Sequence, residues 1–290
     1  EQSKAIEFAL DNFINQNKRY VIVEAGTGVG KSAIGFTIAQ YIASNSQDTE
    51  FKSGAYYLTT QKLLQDQYMK DFKQKGMLSL KSSSNYRCSY YKTKTCQEAR
   101  RELKATKDQR FRSNCAGGCH YVTDKNAFIN GYHGVTNFPY FLMETNHSGH
   151  LTPRKVMVVD ECHNIELEMS KFVEVSITEY FAKKMLKIDP KGLNTQFKVF
   201  NWIQKQYMPK LKAVRDQMAK TLETVGLKNR LSEFVALEKK WSMIDGHFSK
   251  LDRFIKLYNK DNWVMNIVDA PRGKKFEFKP IDISPFTEEF

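Results

Sequence analysis

Residues 21–32 predict a strand, a phosphate-binding turn and the start of a helix. The β-branched run at residues 21–23 favours a buried parallel strand. A glycine-rich turn follows, and an apolar helix begins at Ser32. The turn matches the pattern G-x-x-x-x-G-K-S/T, with alanine in place of the first glycine. Its eight residues are Ala25, Gly26, Thr27, Gly28, Val29, Gly30, Lys31 and Ser32.

The chemistry of a triphosphate explains these residue types. Glycines let backbone N–H groups surround a phosphate chain without Cβ clashes, and a helix N-terminus adds partial positive charge. We expect Lys31 to reach the β- and γ-phosphates and Ser32 to ligate Mg²⁺. A chance glycine turn is the alternative, but strand, turn, Lys-Ser pair and helix occur in the required order. The pattern therefore predicts ATP and Mg²⁺ as ligands.

A second apolar run, residues 156–159, ends in two adjacent carboxylates, Asp160 and Glu161. An Asp-Glu pair after a strand is weak evidence alone, and it becomes strong when a phosphate-binding turn precedes it. We expect Asp160 to hold Mg²⁺ through water and Glu161 to polarise the attacking water. A further strand candidate at residues 55–59 runs into an apolar helix. Such alternation predicts an α/β fold with a parallel sheet and right-handed crossovers.

Residues 81–120 differ from their surroundings in charge and in cysteine content. They hold ten Lys and Arg against three Asp and Glu, and four of the five cysteines of the chain. The cysteine spacing, C-x7-C-x18-C-x3-C, favours a metal site but does not choose between Zn²⁺ and a 4Fe–4S cluster. Four unrelated thiols are the alternative. The predicted ligands are Cys88, Cys96, Cys115 and Cys119.

The composition favours a polyanionic partner. The 290 residues carry a net charge of +13, and more than half of it lies in residues 81–120. This excess could also be a solvated basic face. No apolar run is long enough to span a membrane and no signal-peptide pattern is present, so we expect no membrane partner and a cytoplasmic location. Residues 166–269 show long amphipathic periodicity and predict a helical insert.

Together these motifs resemble the iron–sulfur branch of the superfamily-two DNA helicases, the XPD/DinG family. Gln2 resembles the adenine-reading glutamine, and residues 25–32 resemble motif I. Residues 59–67 resemble motif Ia, and residues 160–163 are a DECH variant of the DEAH box. Further resemblances are at residues 85–88, where the cluster insert begins, at 136–138, the strand after it, and at 280–284, where the chain leaves the Arch domain.

The resemblance implies an architecture and an activity. A RecA-like motor domain would comprise residues 1–80, 121–165 and 270–290, with a 4Fe–4S domain at 81–120 and an all-helical Arch-like domain at 166–269. The activity would be ATP-dependent 5′-to-3′ translocation on single-stranded DNA and unwinding of forked or tailed duplexes. Three residues fall where the family touches the strand, and two arginines lie in the basic insert. These candidate DNA contacts are Thr60, Gln65, Asn137, Arg100 and Arg101.

The resemblance also has limits. Nothing after Pro280 matches motif III or a second motor domain, so the sequence resembles the N-terminal half of such a helicase. We expect these residues alone to bind ATP and DNA without unwinding, since the second motor domain would be missing in cis. Two other functions stay open: a zinc-stabilised nucleic-acid-binding module with a nucleotide switch, and a P-loop ATPase acting on a substrate other than nucleic acid.

Overall fold

The computed structural model of the chain describes residues 1–45, 47, 49–145, 149, 151–227 and 231–287. These residues form two compact units. The first unit contains the described residues of 1–96 and 114–168, and the second contains those of 97–113 and 169–287. The last three residues of the predicted motor segment 270–290 lie outside the described part.

The first unit is built on a parallel four-stranded sheet. The strand order is β2-β3-β1-β4, and all three pairings are parallel. This confirms the predicted α/β fold with a parallel sheet. The strands are β1 (Lys52–Thr59), β2 (Met77–Ser79), β3 (His133–Asn137) and β4 (Arg154–Val159).

Helices connect and cover these strands. Phe36 of the second helix stacks on Phe72 with ring centroids 4.5 Å apart, and it also contacts Tyr57 of β1. These rings belong to one buried cluster that joins helices to the sheet. The helices that begin in this unit are α1 (Gln2–Ile14), α2 (Lys31–Asn45), α3 (Lys62–Phe72), α4 (Cys96–Thr106), α6 (His120–Asn130), α7 (Phe138–Met143) and α8 (Ile165–Val173), while α5 (Gln109–Ala116) ends in it.

The predicted strand at residues 21–23 does not form. The segment is assigned to no strand, and Ile22 is 77% exposed. Val21 and Val23 pack against a cluster on α1 and α2 that includes Ala9 and Ile34. A strand inside a parallel sheet needs both faces covered, and here only one face is covered. The prediction of a buried strand is therefore wrong, although the turn and helix after it are present.

The second unit combines helices with an antiparallel sheet. Its three strands are in the order β5-β7-β6. Phe254 contacts Trp263 and Phe278 with ring centroids 4.8 and 4.9 Å away, so the longest helix packs on this sheet. The elements are β5 (Val175–Thr178), α9 (Glu179–Phe181), α10 (Gln196–Trp202), α11 (Met208–Leu227), α12 (Leu231–Leu257), β6 (Trp263–Ala270), β7 (Gly273–Pro280) and α13 (Ser284–Thr287).

Three predicted features of the inserts need correction. Residues 166–269 are not all-helical, because they contain β5 and β6. Residues 273–280 pair with those strands in the second unit instead of joining the parallel sheet. Residues 81–120 are divided, since 97–113 belong to the second unit. The motor, cluster and Arch identities of the segments stay predictions.

Within the described chain, none of the helices combines the length and apolarity needed to cross a membrane.

Candidate functional site

The predicted phosphate-binding turn lies open at the start of α2. Gly28 and Gly30 have φ angles of 84° and 82°, a left-handed backbone that favours glycine. A Cβ added to Gly26 or Gly28 would meet no atom within 4 Å, so the space over the turn is empty. The 15-residue helix that follows directs its N-terminal N–H groups toward this space. The turn can therefore surround an anion.

Gln2 fixes the turn from the other side. Its Nε2 donates a hydrogen bond of 2.7 Å to the carbonyl of Val29. A Cβ on Gly30 would come within 2.5 Å of that same nitrogen, from which a flexible side chain can move away, so the φ of 82° is what favours glycine here. The structure places Gln2 beside the turn. Its adenine-reading role stays a prediction.

Lys31 and Glu161 form an ion pair at the centre of the site. The Lys31 Nζ lies 3.1 Å from Glu161 Oε1, and the second carboxylate oxygen is 3.4 Å from Nδ1 of His163. Glu161 has a φ of 53°, a conformation that costs a non-glycine residue about 1–2 kcal/mol. Such strain often marks functional positions. Two residues 130 positions apart in sequence are thereby joined.

Asp160 continues the edge of the sheet beside this ion pair. Its backbone N–H donates to the carbonyl of Leu58 at 2.9 Å, which fixes the residue at the carboxyl end of β4. Burial, together with the charge of the neighbouring Glu161, raises the pKa of the Asp160 carboxyl. A bound cation would relieve that penalty because it favours the ionised form.

Tyr68 is a site residue that sequence reasoning missed. It is 2% exposed on α3, and Ser32 and Asp160 both act on the pKa of its hydroxyl. Burial raises its pKa, and the Asp160 charge adds to that, so the hydroxyl stays protonated. The apolar periodicity of the sequence places Tyr68 on the buried face of a helix, and it gives no sign that the hydroxyl lies near the nucleotide site. Its contacts show that the two predicted Mg²⁺ ligands share one neighbour.

The donor set at this point suits Mg²⁺. The ion prefers oxygen ligands and takes few protein groups, since substrate phosphates and waters complete its coordination. A hydroxyl at Ser32 and a carboxylate at Asp160, both in contact with Tyr68, fit that requirement. Ser32 and Asp160 are the residues that would hold the ion.

The four-thiolate site predicted from cysteine spacing is not supported. No three His, Cys, Asp or Glu side chains in the described ranges form a group that could hold a metal ion. All five cysteines are thiols, and three of the four predicted ligands are buried within local turns. The backbone N–H of Cys88 donates to Lys94, that of Cys96 donates to Tyr86, and the side chain of Cys88 accepts from Tyr91. As placed in the described chain, the four cysteines do not form a group that could hold a 4Fe–4S cluster or Zn²⁺.

Two of the candidate DNA contacts lie at the same edge of the sheet as Asp160. Thr60 directly follows β1, and the last residues of β1 and β3, Thr59 and Asn137, are register partners. Asn137 Oδ1 accepts a hydrogen bond from the backbone N–H of Tyr140 at 3.0 Å and caps α7. Both residues are partly exposed. Their contact with DNA stays a prediction.

Gln65 cannot contact a nucleic-acid strand in this structure. The residue is fully buried, and its Nε2 donates to Ser79 Oγ and to the carbonyls of Leu80 and Val135 at 2.8–3.2 Å. It thereby ties α3 to two parallel strands. The predicted DNA role of Gln65 is wrong, and its role is to join these elements.

Arg101 is likewise engaged inside the protein. Its Nε lies 3.1 Å from Oε2 of Glu238, a residue that is 3% exposed, and Lys104 Nζ lies 2.7 Å from Oε1. All three residues belong to the second unit. The two cations compensate a buried carboxylate, so the predicted DNA contact of Arg101 is wrong. Arg100 is exposed, and its role stays a prediction.

We expect Arg101→Met to destabilise the second unit by about 1–3 kcal/mol, because one compensating charge on a buried carboxylate is lost while Lys104 remains. Arg110→Met, at an exposed position of the same unit, should change stability by less than about 0.5 kcal/mol. Urea denaturation of both variants measures the difference. Equal stabilities would contradict the structural role of Arg101.

Fold and site together define the class of the protein. A parallel sheet, a glycine turn at a helix N-terminus, and two carboxylates at the end of a neighbouring strand are the parts of a P-loop nucleoside-triphosphatase domain. The chain belongs to the family described as type III restriction enzyme, res subunit, which matches residues 1–188. This is a superfamily-two, helicase-like family of ATP-dependent motors. A comparison with curated proteins finds no match for the chain.

Proposed function

We propose that this chain is the ATP-binding part of a motor that hydrolyses ATP to move along single-stranded DNA. One observation supports this most directly: Lys31 of the phosphate turn meets Glu161 at the end of β4, at 3.1 Å. Ser32 follows Lys31, Asp160 precedes Glu161, and both act on the pKa of the Tyr68 hydroxyl. These residues are the cation, the water-activating carboxylate and the metal ligands that phosphoryl transfer requires.

The chain's own residues have separate tasks in this reaction. The turn from Gly26 to Gly30 surrounds the phosphates with backbone N–H groups. Glu161 accepts a proton from the attacking water. Tyr68 packs beside Asp160 and Ser32 and limits the movement of their side chains. Mg²⁺, when bound, neutralises charge on the phosphates. The N-terminus of α2 adds fixed positive potential without any rearrangement.

The Lys31–Glu161 ion pair is a resting state that ATP displaces. Both side chains are about one third exposed, and pairs of this kind are worth only about 0–1 kcal/mol. A triphosphate offers Lys31 a more concentrated negative charge. Transfer of Lys31 to the phosphates frees Glu161 to accept a proton. The free carboxylate would then be present only when substrate is bound.

A finer assignment to the XPD/DinG branch, with 5′-to-3′ polarity, is also part of the proposal. It rests on the order of the motifs and on the cysteine-rich insert at residues 81–120 between them, since the two nucleotide motifs alone fit many NTPases. The iron–sulfur cluster of that branch is left out, because the cysteines do not form a site for it. A comparison of 5′-tailed and 3′-tailed duplexes as substrates of the natural full-length protein tests the polarity.

We expect Lys31→Ala to weaken ATP binding about 10- to 100-fold, because a charged partner of the phosphates is lost. Anisotropy of a fluorescent ATP analogue at fixed Mg²⁺ measures this. Lys18→Ala, an exposed lysine in the same unit, should leave the affinity unchanged.

A measurement of the ATP hydrolysis rate with and without DNA decides the class of substrate. Single-stranded DNA should increase the rate of ATP hydrolysis by the natural full-length protein. If ATP binds through Lys31 but DNA has no effect on hydrolysis, the protein is a P-loop ATPase with another substrate. Unchanged ATP affinity in Lys31→Ala would reject the nucleotide site itself.

A further inference from the structure

The second unit contains a groove that is separate from the nucleotide site. It lies between α10 and the segment that follows α12, and its volume is about 690 Å³. Its lining combines three aromatic rings with three amides and one ammonium group. These are Phe197, Phe200, Tyr258, Gln196, Asn201, Asn259 and Lys260.

The inner wall of the groove is a fixed aromatic stack. The rings of Phe200 and Tyr258 lie 3.7 Å apart at an interplanar angle of 17°. Phe254 contacts both rings edge-on from the core side, at 5.8 and 5.5 Å. Gln196 Nε2 donates to the Tyr258 hydroxyl at 3.0 Å and to the carbonyl of Trp263 at 2.7 Å. The stack is therefore held in place before any ligand arrives.

Phe197 stands at the outer edge of this groove and is 75% exposed. An exposed phenylalanine gains free energy when a flat apolar group covers it, and its two side-chain torsions cost little entropy to fix. Asn201 and Asn259 offer donors and acceptors next to the rings. A planar ligand with polar edges fits this combination.

The positive charge of the groove lining and of the neighbouring segment favours an anionic ligand. Residues 190–215, which include α10, contain six Lys and Arg and no Asp or Glu. Lys205, Lys210 and Lys212 are exposed and make no ion pair with any residue the structure describes. The groove lining itself contains Lys260 and no carboxylate. A neutral or cationic peptide would gain nothing from this charge, whereas a phosphate backbone would.

We propose that this groove binds single-stranded nucleic acid, with a base stacked against Phe197 and the Phe200–Tyr258 pair. Lys260, which belongs to the groove lining, contacts an adjacent phosphate. Stacking and phosphate contacts do not depend on base identity, so binding tolerates any sequence. The inference rests on the proposed function, since it assigns the motor a second contact with its strand.

The test distinguishes the contribution of base stacking to binding from the contribution of phosphate contacts. A fluorescein-labelled 20-mer of deoxythymidine is compared with an abasic 20-mer that has the same backbone. Phe197→Ala should weaken binding of the thymidine strand by roughly 5- to 100-fold, as expected for loss of one stacked base. Binding of the abasic strand should change less than about twofold, because that strand has no bases to stack.

Two further variants serve as controls. Phe197→Trp should restore affinity for the thymidine strand, since a larger ring stacks at least as well. Met243→Ala removes another exposed apolar side chain, 57% exposed, which lies about 22 Å along α12 from Tyr258. It should leave both affinities unchanged. Equal losses for both strands in Phe197→Ala would overturn base stacking.

A second readout locates the contact and keeps it distinct from the motor. A strand with 5-iododeoxyuridine should crosslink on irradiation to the peptide that contains Phe197. Absence of that crosslink, with normal DNA binding, would overturn the groove assignment. ATP binding by the same preparations reports on Lys31 independently. Phe197→Ala with unchanged DNA affinity and normal ATP binding would reject the groove and leave the proposed motor standing.

Discussion

Glu161→Gln should lower the rate of ATP hydrolysis by about 10²–10⁴-fold while ATP binding changes little. Proton acceptance by a placed carboxylate contributes rate of that size, and an amide cannot accept the proton. Glutamine keeps the shape of the side chain and can still accept a hydrogen bond from Lys31, which lies 3.1 Å away in the wild type. The rate is measured with the natural full-length protein at saturating ATP and Mg²⁺.

A matched substitution shows whether the loss of ATP hydrolysis is specific to Glu161. Glu166→Gln makes the same chemical change at an exposed carboxylate on α8, five residues further along the chain. It should leave both the hydrolysis rate and the affinity unchanged. If Glu161→Gln hydrolyses ATP at the wild-type rate, another group activates the water, and the ion pair with Lys31 has only a structural role.

The sequence predicted a parallel sheet and the meeting of two motifs at its edge, because both depend on short local patterns, although the strand expected at residues 21–23 does not form. A glycine turn followed by Lys31 and Ser32 requires a helix N-terminus, and adjacent carboxylates after an apolar strand require a sheet edge. Parallel strands place their carboxyl ends together, so Lys31 and Glu161 could be expected to meet. Their contact at 3.1 Å confirms that the two motifs come together.

Features that depend on contacts between residues far apart in the sequence could not be predicted in the same way. β5 is four residues long and pairs with β7, which begins almost 100 residues later, so amphipathic helices dominate the pattern between them. Gln65 looks like a polar helix position, and only the strands around it show that it is buried. Cysteine spacing likewise does not determine whether four thiols converge. In each case the deciding contact lies far away in sequence.

The second large effect concerns the strand that supports the site. Gly54 is a buried residue of β1 with a φ of 116°. A Cβ at this position would lie 2.0 Å from the carbonyl oxygen of Tyr132 and 2.8 Å from its carbonyl carbon. The next residue, Ala55, donates its N–H to that same oxygen at 2.9 Å. Both partners are backbone, so neither can rotate away.

Gly54→Ala should therefore destabilise the first unit by more than about 4 kcal/mol, a large part of the 5–15 kcal/mol that holds a typical domain folded.

Gly76→Ala is the control that measures the cost of a left-handed backbone alone, since Gly76 has a φ of 84° and no atom within 4 Å of an added Cβ. That control should cost only about 1–2 kcal/mol. Hydrogen exchange of the β1 and β3 amides reports on the first unit, because both strands belong to it. If Gly54→Ala accumulates only as insoluble protein while Gly76→Ala is soluble, the same conclusion holds. Equal protection in both variants would mean that β1 and β3 do not approach each other this closely at Tyr132.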